Sequence, residues 1–142
     1  MATIRKAHAV WSGDLKAGRG DVTLDSSGIG TYPVTWKARS EESGGLTSPE
    51  ELIAAAHSAC FSMALSNELG KAGHAPDRIE THAEVDFIPG TGITTSKLSV
   101  KGKVPGISAD DFEAAAQNAG KNCPVSKALG GIKIEVTATL ES

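Results

Sequence analysis

Two thiols carry the clearest chemistry in this chain. Cys60 lies inside a long uncharged stretch, and Cys123 stands directly before Pro124. Thiol reactivity follows thiolate character, which a helix N-terminus, a nearby cation and partial exposure all favour. On that rule Cys123 is the better nucleophile, because N–H groups at the start of a helix opening at Pro124 would favour its thiolate. Cys60, in mid-helix, has no such help, and burial raises a thiol's pKa unless a positive group is supplied. His57, one turn before Cys60, reads either as a packed core histidine or as a base. Arg39 is a candidate cation brought from the end of a strand, or else a solvated surface residue. Glu50 reads first as an acid complementing a helix dipole. A buried thiol and a helix-start thiol suit either a structural bridge or a redox pair. Cys60, Cys123 and His57 lack the close spacing of a metal site, and no GxGxxG, Walker or GxSxG motif is present, so neither metal nor cofactor is expected.

The elements that must position these residues read as follows. Short strands around Ile4–Trp11, Asp21–Leu24 and Val34–Arg39 are separated by glycine-containing turns. A long helix begins at Pro49, with Ser48 as N-cap and Glu51 completing a capping box. It runs to Leu69, about 31 Å, with Gly70 as the stop and Gly73 soon after. Its middle, LIAAAHSACFSMAL, has no charge on any face. A helix apolar all round is buried on all sides, and a chain this small has too little sheet to cover it, which argues for a dimer. A hairpin follows. Ile79, Thr81, Ala83, Val85 and Phe87 alternate with Glu80, His82, Glu84 and Asp86; after PGTG, Leu98, Val100 and Val104 alternate with Lys97, Ser99, Lys101 and Lys103. Antiparallel pairing would set acidic against basic residues, which explains these charges without a ligand. Ser108 caps a second helix ending near Gly120, Cys123 caps a short helix over Pro124–Leu129, and Ile132–Leu140 alternate as a last strand. This order predicts an α+β fold.

With 142 residues, the chain reads as one domain, residues 1–142, able to bury roughly 68% of its unfolded surface without a disulfide or metal. A net charge of −3 with mixed signs gives no basic footprint for nucleic acid or membrane. The N-terminal residues lack a signal core, and the longest uncharged run, Leu52–Asn67, is shorter than the ~20 apolar residues of a span. A soluble, cytoplasmic protein is expected, and in a reducing cytosol two cysteines are more often catalytic or metal-binding than a permanent bridge.

SPEELIAAAHSACFSMALS, with its cysteine ten residues after the first Glu, resembles the central helix of the osmotically inducible protein C (OsmC) and organic hydroperoxide resistance family. NCPVSKAL resembles its second-cysteine motif. AVWSGDLKAGRG, Glu-Glu-Leu and His57 are similar to the OsmC branch, and the likeness covers nearly the whole chain. The resemblance implies an intertwined homodimer with antiparallel sheets around a buried central helix, and a thiol-dependent peroxidase. Cys60 would be the peroxidatic cysteine and Cys123 the resolving one. Arg39 would stabilise the Cys60 thiolate and polarise the peroxide, and Glu50 would orient Arg39. This reverses the ranking from helix position. An Arg held by a carboxylate in a dry pocket can outweigh a short helix's dipole, since Coulomb attraction grows at low dielectric. The resemblance also implies hydroperoxide as substrate and an external dithiol, such as a lipoylated protein, as reductant. Phe61, Met63 and Leu65 would line an apolar pocket favouring organic hydroperoxides, or form core. The competing readings are an apolar ligand- or partner-binding module, a structural disulfide worth about 4 kcal/mol, and a cysteine hydrolase with His57 as base.

Overall fold

The computed structural model describes residues 1–141. It divides into two compact units, one spanning Met1–Glu50 and the other beginning at Glu51. Each is described by itself.

The first unit is a three-stranded antiparallel sheet in the order β1 (Ala7–Ser12), β2 (Arg19–Leu24), β3 (Thr31–Val34). Val34–Arg39, expected as the third strand, is strand only at its start. The chain leaves the sheet after Val34 and forms a short helix, α1 (Trp36–Ser40). Thr35 causes the switch: its backbone is extended and its hydroxyl accepts the Ala38 N–H, satisfying a donor that the first helical turn leaves open. Arg39 therefore sits on a helix and not at a strand end. Thr47 then runs beside β3, its N–H donating to the Pro33 carbonyl at 3.2 Å. That strap delivers the chain to the start of α2 (Pro49–Lys71).

α2 opens at Pro49 as expected but passes through Gly70. It stops where Gly73 takes φ +86°, with His74 N–H donating to Leu69 O and Gly73 N–H to Gly70 O. Those two bonds close a Schellman turn, and the left-handed residue they need is Gly73. Among the described residues, one face of the helix is covered. His57, Phe61, Leu65 and Leu69 are buried at four-residue intervals, whereas Ala55, Ala56, Ala59 and Met63 on the opposite face are exposed.

The second unit holds β4 (Arg78–Ile88), β5 (Gly92–Lys103), α3 (Ala109–Asn122), α4 (Pro124–Ala128) and β6 (Lys133–Leu140). β4 and β5 pair antiparallel with Glu80 opposite Lys101 and Glu84 opposite Lys97, as the alternating charges required. β6 joins the other edge of β5 in parallel, so this sheet is mixed where antiparallel pairing alone was expected. The reason is the connection: α3 and α4 intervene and carry the chain back across the sheet before β6 begins. α3 ends near Gly120 as expected, and Gly120 is not its last residue. It lies inside the helix, where a Cβ would come within 2.5 Å of Val136 on β6, so the helix approaches the sheet only because no side chain intervenes. Phe61, Leu65, Leu69, Leu98, Val100, Phe112, Ala116 and Ala119 form the core between α2, the sheet and α3. Cys123 belongs to that core. Among the described residues no helix is long and apolar enough to cross a membrane.

Candidate active site

The two thiols, 63 positions apart, lie side by side: Cys123 Sγ donates to Cys60 Sγ across 3.0 Å, and both are free. α2 presents Cys60 from its middle. Cys123 is placed by a junction, since it ends α3 and starts α4 with an extended backbone, and its N–H donates to Ala119 O. Pro124 prevents α3 from continuing and suits the first position of α4.

Their surroundings differ. Cys60 is partly exposed, whereas Cys123 is fully buried. Burial pushes the Cys60 thiol up, and the bond with Cys123 pushes it further, against a smaller pull from the Val125 N–H. Burial also pushes Cys123 up, but the bond with Cys60, the N–H and hydroxyl of Ser126 and the Val125 N–H outweigh it and bring that thiol below its ordinary value. The donor direction of the bond and these influences disagree about which sulfur keeps the proton. The electrostatics weigh more, because at 3.0 Å either sulfur can hold a shared proton. Within this unit the charge therefore prefers Cys123, which is the ranking that helix position predicts.

Arg39 and Glu50 form a second constellation, wholly within the first unit. Arg39 Nε donates to both Glu50 carboxylate oxygens at 3.0 and 3.1 Å, and Nη2 donates to Oε2 at 2.9 Å. Glu50, on the first turn of α2, is only 7% exposed through its side chain, whereas Arg39 keeps 31%. A nearly buried carboxylate holding a partly exposed guanidinium in a fork fixes the Arg in one orientation.

His57 is fully buried between two hydroxyls, with Nδ1 2.6 Å from Ser96 Oγ and Nε2 2.7 Å from Ser126 Oγ. Both ring nitrogens are thus engaged away from Cys60, which removes the cysteine-hydrolase reading with His57 as base. Burial holds its pKa below the ordinary 6.5, so it is neutral at neutral pH. Ser96 and Ser126 were missed from the sequence, although both carried a signal. Ser96 occupies an inward position of β5, two residues before Leu98, and Ser126 lies three residues after the helix-start cysteine. The apolar pocket expected from Phe61, Met63 and Leu65 does not form in this chain. Phe61 and Leu65 are core, and Met63, 72% exposed, points the opposite way because two residues along a helix turn a side chain by more than half a circle.

The sequence model of the OsmC-like protein family matches residues 42–137. The chain is 43% identical over 140 residues to peroxiredoxin OsmC of Escherichia coli (strain K12), covering 96% of this chain and 95% of that one. Among solved structures it superposes on an organic hydroperoxide resistance protein from Elizabethkingia anophelis with a TM-score of 0.69 at 25% identity, covering 99% and 100% of the two chains. It also superposes on an OsmC-like protein from Mycoplasma pneumoniae with a TM-score of 0.74 at 16% identity, over the whole of both chains; that likeness shows the fold alone. The α+β architecture, the length of the match and the sequence identity agree, and the chain belongs to the OsmC-like protein family.

Proposed function

We propose that this protein is a cysteine-based, thiol-dependent peroxidase that reduces organic hydroperoxides in oxidative and osmotic stress defence. The relatives named peroxiredoxin and organic hydroperoxide resistance protein support the activity. The observation that carries it here is the pair of free thiols 3.0 Å apart, one partly exposed and one sealed. A peroxide must reach its nucleophile, so the accessible Cys60 is the peroxidatic residue and the sealed Cys123 the resolving one. The Cys60 thiolate attacks a peroxide oxygen; the O–O bond breaks, an alkoxide leaves and takes a proton to become the alcohol, and Cys60 becomes a sulfenic acid. Cys123 then attacks the Cys60 sulfur, forming the disulfide and releasing water. An external dithiol of the cytoplasm, such as a lipoylated protein, reduces the disulfide by exchange. Arg39, held by Glu50, supplies the positive charge that draws the thiolate from Cys123 to Cys60 and polarises the peroxide.

Stoichiometric cumene hydroperoxide added to the reduced protein tests this reading. Thiol counting and intact mass are expected to show both thiols lost as one disulfide per chain, restored by a dithiol. Two intact thiols after treatment would overturn the peroxidase in favour of an apolar-ligand-binding module.

The protein works as a homodimer. Ala55, Ala56, Ala59 and Met63 form a continuous uncharged strip on α2, and β1 is exposed along its whole length, including Val10 and Trp11. A second copy of the same chain supplies matching apolar surface for both. Light scattering is expected to give twice the chain mass, and Met63→Glu, which puts a charge into that face, to shift it toward one chain. A wild-type protein with the mass of a single chain would remove the dimer.

A further inference from the structure

A second contact between α2 and α4 lies one helical turn from the thiols. Cys60 Sγ and Cys123 Sγ stand 3.0 Å apart, and His57 Nε2 stands 2.7 Å from Ser126 Oγ. His57 precedes Cys60 by three residues on α2, and Ser126 follows Cys123 by three residues at the start of α4. Residues three apart on a helix are neighbours, and an N-cap residue stands beside the third residue of its helix. The two contacts are therefore adjacent rungs between the same pair of elements. A third element steadies the polar rung: Ser96 Oγ on β5 lies 2.6 Å from His57 Nδ1. With a short bond at each ring nitrogen, the imidazole cannot turn without losing one of them.

The polar rung departs from the pattern around it. Along the buried row of α2, His57 is followed by Phe61, Leu65 and Leu69. His57 and Ser96 are fully enclosed and Ser126 nearly so, and an apolar residue at 57 would leave two buried hydroxyls without that partner. α4 needs an anchor of this kind. It has five residues, fewer than a helix needs to hold itself, and no side chain caps its start. Backbone bonds tie Cys123 to Ala119 and close the turn at Leu129 and Gly130, but they stay within α3, α4 and that turn. Val125 packs on the core, and apolar contact fixes no direction. The Ser126 bond does fix one, joining α4 to α2 and, through His57, to the sheet.

We propose that His57 and Ser126 are positioning residues for the resolving step: their bond holds the start of α4 so that the Cys123 sulfur stays within reach of Cys60. The inference rests on the peroxidase reading above. In that step the Cys123 sulfur attacks the sulfur of Cys60 sulfenic acid. The S–S bond forms, the Cys60 S–O bond breaks, and the departing hydroxide joins the Cys123 proton as water. Cys123 sulfur is oxidised and Cys60 sulfur is reduced. His57 and Ser126 carry no proton in this step; they raise the effective concentration of one sulfur at the other. A seated α4 lets resolution outrun a second peroxide, which would take Cys60 beyond the sulfenic state.

The reduction potential of the thiol pair, measured by equilibration in dithiothreitol buffers, reads that effective concentration and needs no peroxide. Ser126→Ala is expected to make the disulfide about tenfold less stable against the buffer, a rise of about 30 mV. It should also slow disulfide formation about tenfold after one equivalent of cumene hydroperoxide, seen by dimedone trapping of a longer-lived sulfenic acid. Ser126→Thr keeps the hydroxyl, and a cavity of about 260 Å³ beside Ser126 has room for the added methyl group, so both values should return. His57→Asn, whose amide reaches only as far as Nδ1, should match Ser126→Ala. The double variant should lose no more than either single one, since both cut the same bond. Leu69→Ala, in the core at the far end of α2, controls for simple loosening: its melting temperature falls while its potential holds. An unchanged potential in whichever of Ser126→Ala and His57→Asn folds would overturn the inference. So would a hundredfold loss in the double variant, or a potential raised as much by Leu69→Ala. If the wild-type thiols ignore hydroperoxide, the peroxidase reading fails on its own, and the potentials still judge the tether.

Discussion

Cys60→Ser is expected to lower hydroperoxide consumption by at least about a thousandfold, because the O–O bond then has no sulfur nucleophile to attack it. The seryl oxygen has the wrong acidity for the role, and Cys123 cannot substitute while its side chain is sealed in the core. Cys123→Ser fails differently. It is expected to retain a fast burst of one hydroperoxide per chain and then not recycle, because Cys60 sulfenic acid has no partner. Cys60 is partly exposed, so excess peroxide is expected to carry it to the sulfinic and sulfonic states, visible as added oxygen masses on that cysteine. The 3.0 Å between the sulfurs makes the contrast sharp, since the resolving thiol needs almost no travel to intercept the sulfenic acid. Full turnover in Cys60→Ser would reassign the peroxidatic role; an unmodified Cys60 in peroxide-treated Cys123→Ser would do the same.

The parts legible in the sequence were those governed by local rules. The start of α2 at Pro49, the Ser108 cap of α3, the charge-paired hairpin and the alternation of β6 all follow from capping or period-two patterning. Errors fell where tertiary geometry decides. Arg39 looked like strand because its segment follows β3, yet Thr35 caps a helical turn there. Gly70 looked like a stop. Gly70 is passed because Gly73 supplies the left-handed turn, and Gly120 serves close packing against Val136. The parallel edge of β6 is invisible to strand periodicity, which carries no direction. At the site, the two cysteines and His57 stood out by residue type, but nothing in their spacing showed that the sulfurs meet. Ser96 and Ser126 become meaningful only once His57 is seen between them.

Removing the guanidinium should slow the first chemical step about a hundredfold, or roughly 2.7 kcal/mol, the scale of losing one fixed charged donor at a reacting centre. The argument begins from the thiols themselves. Within their own unit Cys60 is pushed up by burial and Cys123 is drawn down, so without an added cation the sulfur that peroxide can reach is the one less inclined to ionise. Arg39, oriented by three hydrogen bonds to Glu50, is the group proposed to reverse that order. Arg39→Ala alone would leave a nearly buried Glu50 carboxylate without its fork, a change costly to folding. The informative variant is therefore Arg39→Ala with Glu50→Gln, which leaves no orphaned charge. Its rate of sulfenic acid formation should rise with pH well beyond the point where the wild type levels off, because Cys60 now ionises only at higher pH. If the guanidinium also polarises the peroxide, the rate at that new plateau stays below the wild-type value; if it acts on the thiolate alone, high pH restores the full rate. Arg39→Lys should recover little, since an ammonium cannot reproduce the two-nitrogen grip that fixes the charge in place. A double variant with the wild-type rate and pH profile would remove Arg39 and Glu50 from the chemistry and leave Cys60 activated by some other means.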